Sequence, residues 1–91
     1  ETQGGVARYV ADDDRRRCEF AIVVADDWQQ KGLGTRLMRA LMAAARGAGI
    51  DSMEGEVLAS NHKMLQFTAG LGFKARFDDH DPRLMRVVAI L

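Results

Sequence analysis

The stretch Gln29-Gln30-Lys31-Gly32-Leu33-Gly34 joins an apolar run, Phe20 to Ala25, to a strongly patterned segment beginning near Leu33. A strand, a short glycine-containing loop and a helix start together make an anion site. The glycines let the backbone approach a ligand, and the first N–H groups of a helix have no acceptor within it. The positive end of the helix dipole adds to this, so a phosphate or pyrophosphate suits such a loop. Lys31 could add a charge near that guest, or stand solvated in the loop.

Three phosphate-loop patterns compete here. A Walker loop needs Gly-x-x-x-x-Gly-Lys-Ser/Thr, but Lys31 precedes Gly32 and no lysine stands before Thr35. A dinucleotide fingerprint needs Gly-x-Gly-x-x-Gly; Gly32 and Gly34 supply two, and the third position is Leu37. The pattern Gln/Arg-x-x-Gly-x-Gly/Ala is satisfied by Gln29, Gly32 and Gly34. It resembles the acetyl-CoA pyrophosphate loop of the GNAT N-acetyltransferase superfamily. Two flanking segments extend the resemblance. Glu19-Phe20-Ala21-Ile22-Val23-Val24 is similar to the strand ahead of that loop. Asn61, Met64, Leu65 and Leu71-Gly72-Phe73 are similar to the family's second cofactor segment.

The resemblance implies acetyl-CoA as co-substrate and an amine as acceptor. It implies that the backbone of Gln29, Gln30, Lys31, Gly32, Leu33, Gly34 and Thr35 cradles the pyrophosphate. The strand end Ile22, Val23 and Val24 would pair with the pantetheine arm, with the Val24 N–H polarising the thioester oxygen. Asn61 would contact the pantetheine, and it is also a good helix N-cap. Glu19-Phe20-Ala21 looks like the Pat-type protein-lysine acetyltransferases of bacteria, which makes Glu19 the general base for the amine proton. A glutamate opening a buried strand is expected to be desolvated, which suits a base. Its plainer role is a surface residue paired with one of Arg15 to Arg17. Glu54 and Glu56 are the next carboxylates in line.

One position departs from the family. Many members carry a tyrosine, the leaving-group acid, where Thr68 stands here; the single tyrosine is Tyr9. A threonine hydroxyl is a poor proton donor at neutral pH, so the thiolate would leave unaided or take its proton from water. The Pat-like branch implies lysines of metabolic enzymes as acceptors and a fused acyl-CoA-synthetase-like domain. Two other functions stay open: a non-catalytic acyl-CoA-binding regulatory module, and acetylation of a small amine such as an antibiotic.

These residues need elements to hold them. Val6 to Val10 reads as a strand, with Val6, Arg8 and Val10 on one face. Asp12 to Arg17, three acids followed by three bases, reads as a solvated hairpin loop. Cys18 to Ala25 is nearly all apolar, as a strand covered on both faces would be. Leu33 to Ala48 reads as a helix with Leu33, Leu37, Leu41, Ala44 and Ala48 in one stripe, widened by Met38, Met42 and Ala45. Gly47 and Gly49 mark its end. Met53 to Leu58 reads as a strand, His62 to Leu71 as a helix stopped by Gly72, and Phe73 to Phe77 and Leu84 to Ile90 as two strands. The order is β-β-α-β-α-β-β: an α/β fold with a mixed, mostly antiparallel sheet. It resembles the C-terminal portion of a GNAT domain, residues 1–91 being a partial domain that lacks N-terminal elements.

Composition bounds the rest. Hydrophobic residues make up 47% of 91 residues and charged ones 29%, a globular balance. Formal net charge is zero, so no basic excess points to nucleic acid or an anionic membrane. No apolar run has the length of a membrane span. Cys18 is the lone cysteine, which fits a reducing cytoplasm. Cys18, His62 and His80 lack metal-ligand spacing, so no metal site is expected.

Overall fold

A computed structural model describes residues 5–24 and 32–91, with the backbone alone at 5, 6, 23 and 24. Its elements run β1 (Gly5–Ala11), β2 (Arg17–Val24), α1 (Leu33–Gly47), β3 (Ser52–Leu58), α2 (His62–Gly70), β4 (Lys74–Phe77) and β5 (Leu84–Ile90). The five strands form one sheet in the order β1-β2-β3-β5-β4. All neighbours are antiparallel except β2 and β3. This is the expected α/β class and element order.

The β1–β2 hairpin is tied at its tip by Asp12. Its backbone N–H donates to the Arg17 carbonyl at 2.8 Å, and its Oδ1 accepts the Arg16 and Arg17 N–H groups at 3.2 and 3.4 Å. The Asp12 side chain thus satisfies part of this loop's own backbone, as short polar side chains do in turns.

One cluster forms the core: Cys18, Met38, Ala45, Ile50, Met53, Val57, Phe73, Val87 and Ala89 are all buried. Met38 and Ala45 come from α1, and Met64, Leu65 and Phe67 of α2 pack on the same cluster. Both helices therefore cover the sheet face that carries Cys18, Met53, Val87 and Ala89. Val10, Glu19, Glu54 and Arg86 stand on the opposite face.

Three expectations need correction. The strand β2 is covered on one face only: Cys18 is buried and Phe20 and Ile22 are half-buried, while Glu19 and Ala21 are exposed. Its apolar run misled because alanine carries little surface and fits either side. The buried stripe of α1 runs through Gly34, Met38 and Ala45, with Leu41 and Met42 beside it, and Ala44 and Ala48 are exposed. The stripe is turned by about one position, because several apolar sets at helical spacing overlap in this alanine-rich segment. Phe73 is a core residue just ahead of β4 rather than its first residue. It is placed there by the end of α2, where Gly72 at φ 96° lets the Phe73 N–H reach the Thr68 carbonyl at 3.0 Å.

Candidate active site

The functional geometry begins where β2 and β3 separate. They pair in parallel at three rungs, Arg17 with Ser52, Cys18 with Met53 and Glu19 with Glu54. Beyond the last rung β2 runs on to Val24 and β3 to Leu58 without pairing to each other. The result is a fork with two backbone edges facing across it. An extended ligand can hydrogen bond to such an edge as an added strand does.

The fork is held differently on its two faces. On the helix face, the Phe20 ring lies over Gly55, one step past the last rung, where a Cβ on residue 55 would collide with Phe20 Cε2. The same ring meets Phe73 edge-on, with centroids 5.4 Å apart and an interplanar angle of 61°. On the open face, Arg86 of β5 reaches back over β3. Its Nη2 donates to Glu54 Oε1 at 3.1 Å and lies 3.7 Å from Glu19 Oε1, and its Nη1 is 3.4 Å from Glu56 Oε2. Burial alone would lower the Arg86 pKa, but the Glu54 hydrogen bond and the charges of Glu19, Glu54 and Glu56 outweigh it and hold the guanidinium above its ordinary range. Arg86 is a fixed cation surrounded by three carboxylates.

Around the base of the fork lies an open groove of about 500 Å³, lined among others by Arg8, Val10, Asp12, Glu19, Glu54 and Arg86. Glu19 stands at its edge with 58% of its side chain exposed, against 20% for both Glu54 and Arg86. The expected burial of Glu19 is not found. Nor does it pair with Arg15 to Arg17: Arg17 turns to Asp12 at 3.3 Å and Arg16 to Asp51 at 3.7 Å. Glu54, the other carboxylate of the last rung, is the half-buried one, and it is committed to Arg86.

At the loop, Gln29, Gln30 and Lys31 lie outside the described residues, as does Trp28. Gly32 is the N-cap of α1 at φ 76°, ψ 8°, and its carbonyl accepts the Arg36 N–H at 3.1 Å. Leu33, Gly34 and Thr35 form the first turn, whose N–H groups precede the first intrahelical bond. Among the described residues no side chain caps this end, and no acid sits in its first turn, so its positive character is uncompensated within the helix. Ile22 packs on the core, and the backbone of Val23 and Val24 pairs with Val6 and Gly5 on the side away from the fork.

Asn61 caps α2, its Oδ1 accepting the Met64 N–H at 3.1 Å. That bond orients the amide and leaves its nitrogen a donor. Thr68 is 1% exposed, and its hydroxyl is within donating reach of the Met64 and Leu65 carbonyls at 3.0 and 3.1 Å. It is a helix-interior group, closed to a leaving thiolate. Cys18 is 3% exposed, and burial, with the Asp12 and Glu54 charges, pushes its thiol up, which suppresses the nucleophilic thiolate. Arg86 was not singled out by sequence reasoning. Its signal was present, a lone arginine inside the apolar run Leu84 to Ile90.

Comparison with known proteins agrees with this geometry. The sequence profile of the acetyltransferase (GNAT) family matches residues 4–73. An acetyltransferase of Pseudomonas aeruginosa, PA5475, is 38% identical over 77 residues, spanning 85% of this chain and 41% of the relative. The GNAT domain of S. lividans PAT superposes with a TM-score of 0.85 at 25% identity, over 96% of this chain and 53% of that one. The Bacillus subtilis acetyltransferase in complex with CoA gives a TM-score of 0.81 at 22% identity, over 97% and 69%. The chain thus spans about two fifths of the curated relative and just over half of the PAT domain. With a profile match over most of its length and a 38% identical relative, the chain belongs to the GNAT acetyltransferase family.

Proposed function

We propose that this domain binds acetyl-CoA in the β2–β3 fork and transfers the acetyl group to an amine, a protein lysine in the Pat-like reading. The observation that carries it is the fork itself: backbone edges that do not pair with each other meet at a rung bearing Glu19, with a helix start, Gly32 to Thr35, after β2. The residues suit the co-substrate. Free N–H groups at a helix start match a pyrophosphate, and an open strand edge matches the amide-bearing pantetheine arm. Gln29, Gln30 and Lys31 complete the loop, and Asn61 contributes its free amide nitrogen.

The chemistry is a balanced displacement. The amine nitrogen attacks the thioester carbonyl carbon, a C–N bond forms and the C–S bond breaks. CoA leaves as the thiolate, and the amine proton goes to Glu19, directly or through water. An N–H of the β2 edge, that of Val24, polarises the carbonyl oxygen. Water protonates the thiolate, since Thr68 is sealed in α2. Exposure of Glu19 to the groove keeps its carboxylate open to an incoming ammonium group. The domain works in the cytoplasm, as part of a polypeptide that can carry an acyl-CoA-synthetase-like domain.

A second reading, acyl-CoA binding without transfer, is favoured by one observation, the burial of the Thr68 hydroxyl. An amide NMR titration with acetyl-CoA separates binding from its absence. Shifts gathered at residues 22–24, 32–35 and Asn61 support the site; a folded protein without shifts refutes it. An acceptor screen of lysine peptides and small amines then separates the two readings. Transfer that falls on the order of a hundredfold in Glu19→Gln, with acetyl-CoA affinity kept, supports the base. Binding without transfer to any acceptor favours the sensing module.

A further inference from the structure

We infer that Arg86 is the positioning residue for Glu19, clipping the fork at its last rung and aiming that carboxylate into the groove. This rests on the proposed role of Glu19. Arg86 makes graded contacts. Its hydrogen bond to Glu54 at 3.1 Å is the anchor, its 3.4 Å contact with Glu56 steadies the second guanidinium nitrogen, and its 3.7 Å approach to Glu19 is electrostatic without being a hydrogen bond. The planar guanidinium serves all three at once, which a point-charged ammonium does less well.

The grading matters chemically. Glu54 and Glu19 are the two residues of the last β2–β3 rung, so one cation ties the strands together at the point of divergence. Glu19 is held near a fixed site but keeps its lone pairs free for a proton. A tight bond to Glu19 would occupy the base; no bond would leave an exposed, rotamer-rich side chain to wander. Among the described residues, the other arginines near this face do not pair with Glu19, Glu54 or Glu56. Its register partner Arg76 lies 3.7 Å from Asp79, and Arg17 pairs with Asp12. Arg8 lines the groove further along β1.

The test compares the chain with Arg86→Gln and Arg86→Lys. Three quantities are measured: the χ1 averaging of Glu19 from NMR couplings, acetyl-CoA affinity by calorimetry, and acetyl transfer to poly-L-lysine. Glu19 should occupy one rotamer in the unaltered chain, average among several in Arg86→Gln, and fall between in Arg86→Lys. The transfer rate constant should fall about tenfold in Arg86→Gln and recover in part in Arg86→Lys, with acetyl-CoA affinity and KM unchanged. A Glu19 equally ordered in all three proteins, or a rate loss matched by lost acetyl-CoA affinity, overturns the inference. If Arg86→Gln does not fold, the Glu19 couplings in Arg86→Lys decide, and an unchanged rotamer overturns it. Failure of the unaltered chain to bind acetyl-CoA or transfer acetyl overturns the functional reading instead, while the Glu19 couplings still decide the positioning.

Discussion

The ring of Phe20 occupies the space that a side chain on Gly55 would need, and the two residues sit one step beyond the last paired rung of β2 and β3. The fork is therefore lined by aromatic packing on the helix face and by the Arg86 ion-pair cluster on the other. Phe20 gains its position from Phe73, and Phe73 from the turn that ends α2.

From this contact we predict that Gly55→Ala destabilises the domain by about 1–3 kcal/mol, the usual cost of overpacking. Phe20→Leu alone should also destabilise it, but adding Gly55→Ala to Phe20→Leu should cost much less than adding it to the unaltered chain. Denaturant unfolding of the four proteins reads this coupling directly. Additive effects would show that Gly55 is not reserved for the ring.

Gly32→Asp tests the helix start. Among the described residues nothing lies within 4 Å of a Cβ built at Gly32; the left-handed φ of 76° costs on the order of 1 kcal/mol. The protein should fold. Its new carboxylate repels phosphate at the first turn, and acetyl-CoA affinity should fall at least about tenfold, or about 1.4 kcal/mol. Unchanged affinity in a folded variant would remove Gly32 to Thr35 from the pyrophosphate site.

Thr68→Val tests whether the position of the family's tyrosine retains a chemical role. The buried hydroxyl bonds within α2, so its loss should cost about 1 kcal/mol of stability. The acetyl-transfer rate of the folded variant, and its pH profile, should match those of the unaltered chain. A selective rate loss without a change in acetyl-CoA affinity would restore Thr68 as a proton donor.

Asp12 sets an acid limit. Burial opposes its ionisation, but the Arg17 and Arg16 backbone N–H groups and the Arg17 side chain outweigh it and hold the carboxyl below its ordinary value of 3.8. A carboxyl lowered on folding stabilises the native state above the unfolded value, and that contribution is lost as pH falls through the folded one. Asp12→Asn should therefore be less stable than the unaltered chain near neutrality, with the gap closing below 3.8. Urea midpoints across the acid range measure it, and a gap independent of pH would contradict the assignment. Asp81, lowered by Arg83, titrates in the same direction and should be compared as Asp81→Asn.

Much of this protein was determined by local chemistry. The element order followed from apolar spacing, from Asn61 as a cap and from Gly72 as a stop, because each acts within a turn or two of its own chain. The glycine pattern, with Glu19-Phe20-Ala21 before it, was enough to point to the family. Local chain geometry pairs Arg17 with Asp12 and Arg83 with Asp81, but only the tertiary structure decided the partners of Arg86. Glu19 and Glu54 are far apart in sequence, yet the parallel pairing makes them one rung, and Arg86 reaches both from a third strand. For these three residues the charge does not encode its partner; strand order and register do. The same holds for Phe20 and Gly55, whose contact exists only because parallel pairing sets them side by side, with room for the ring and none for a Cβ on residue 55.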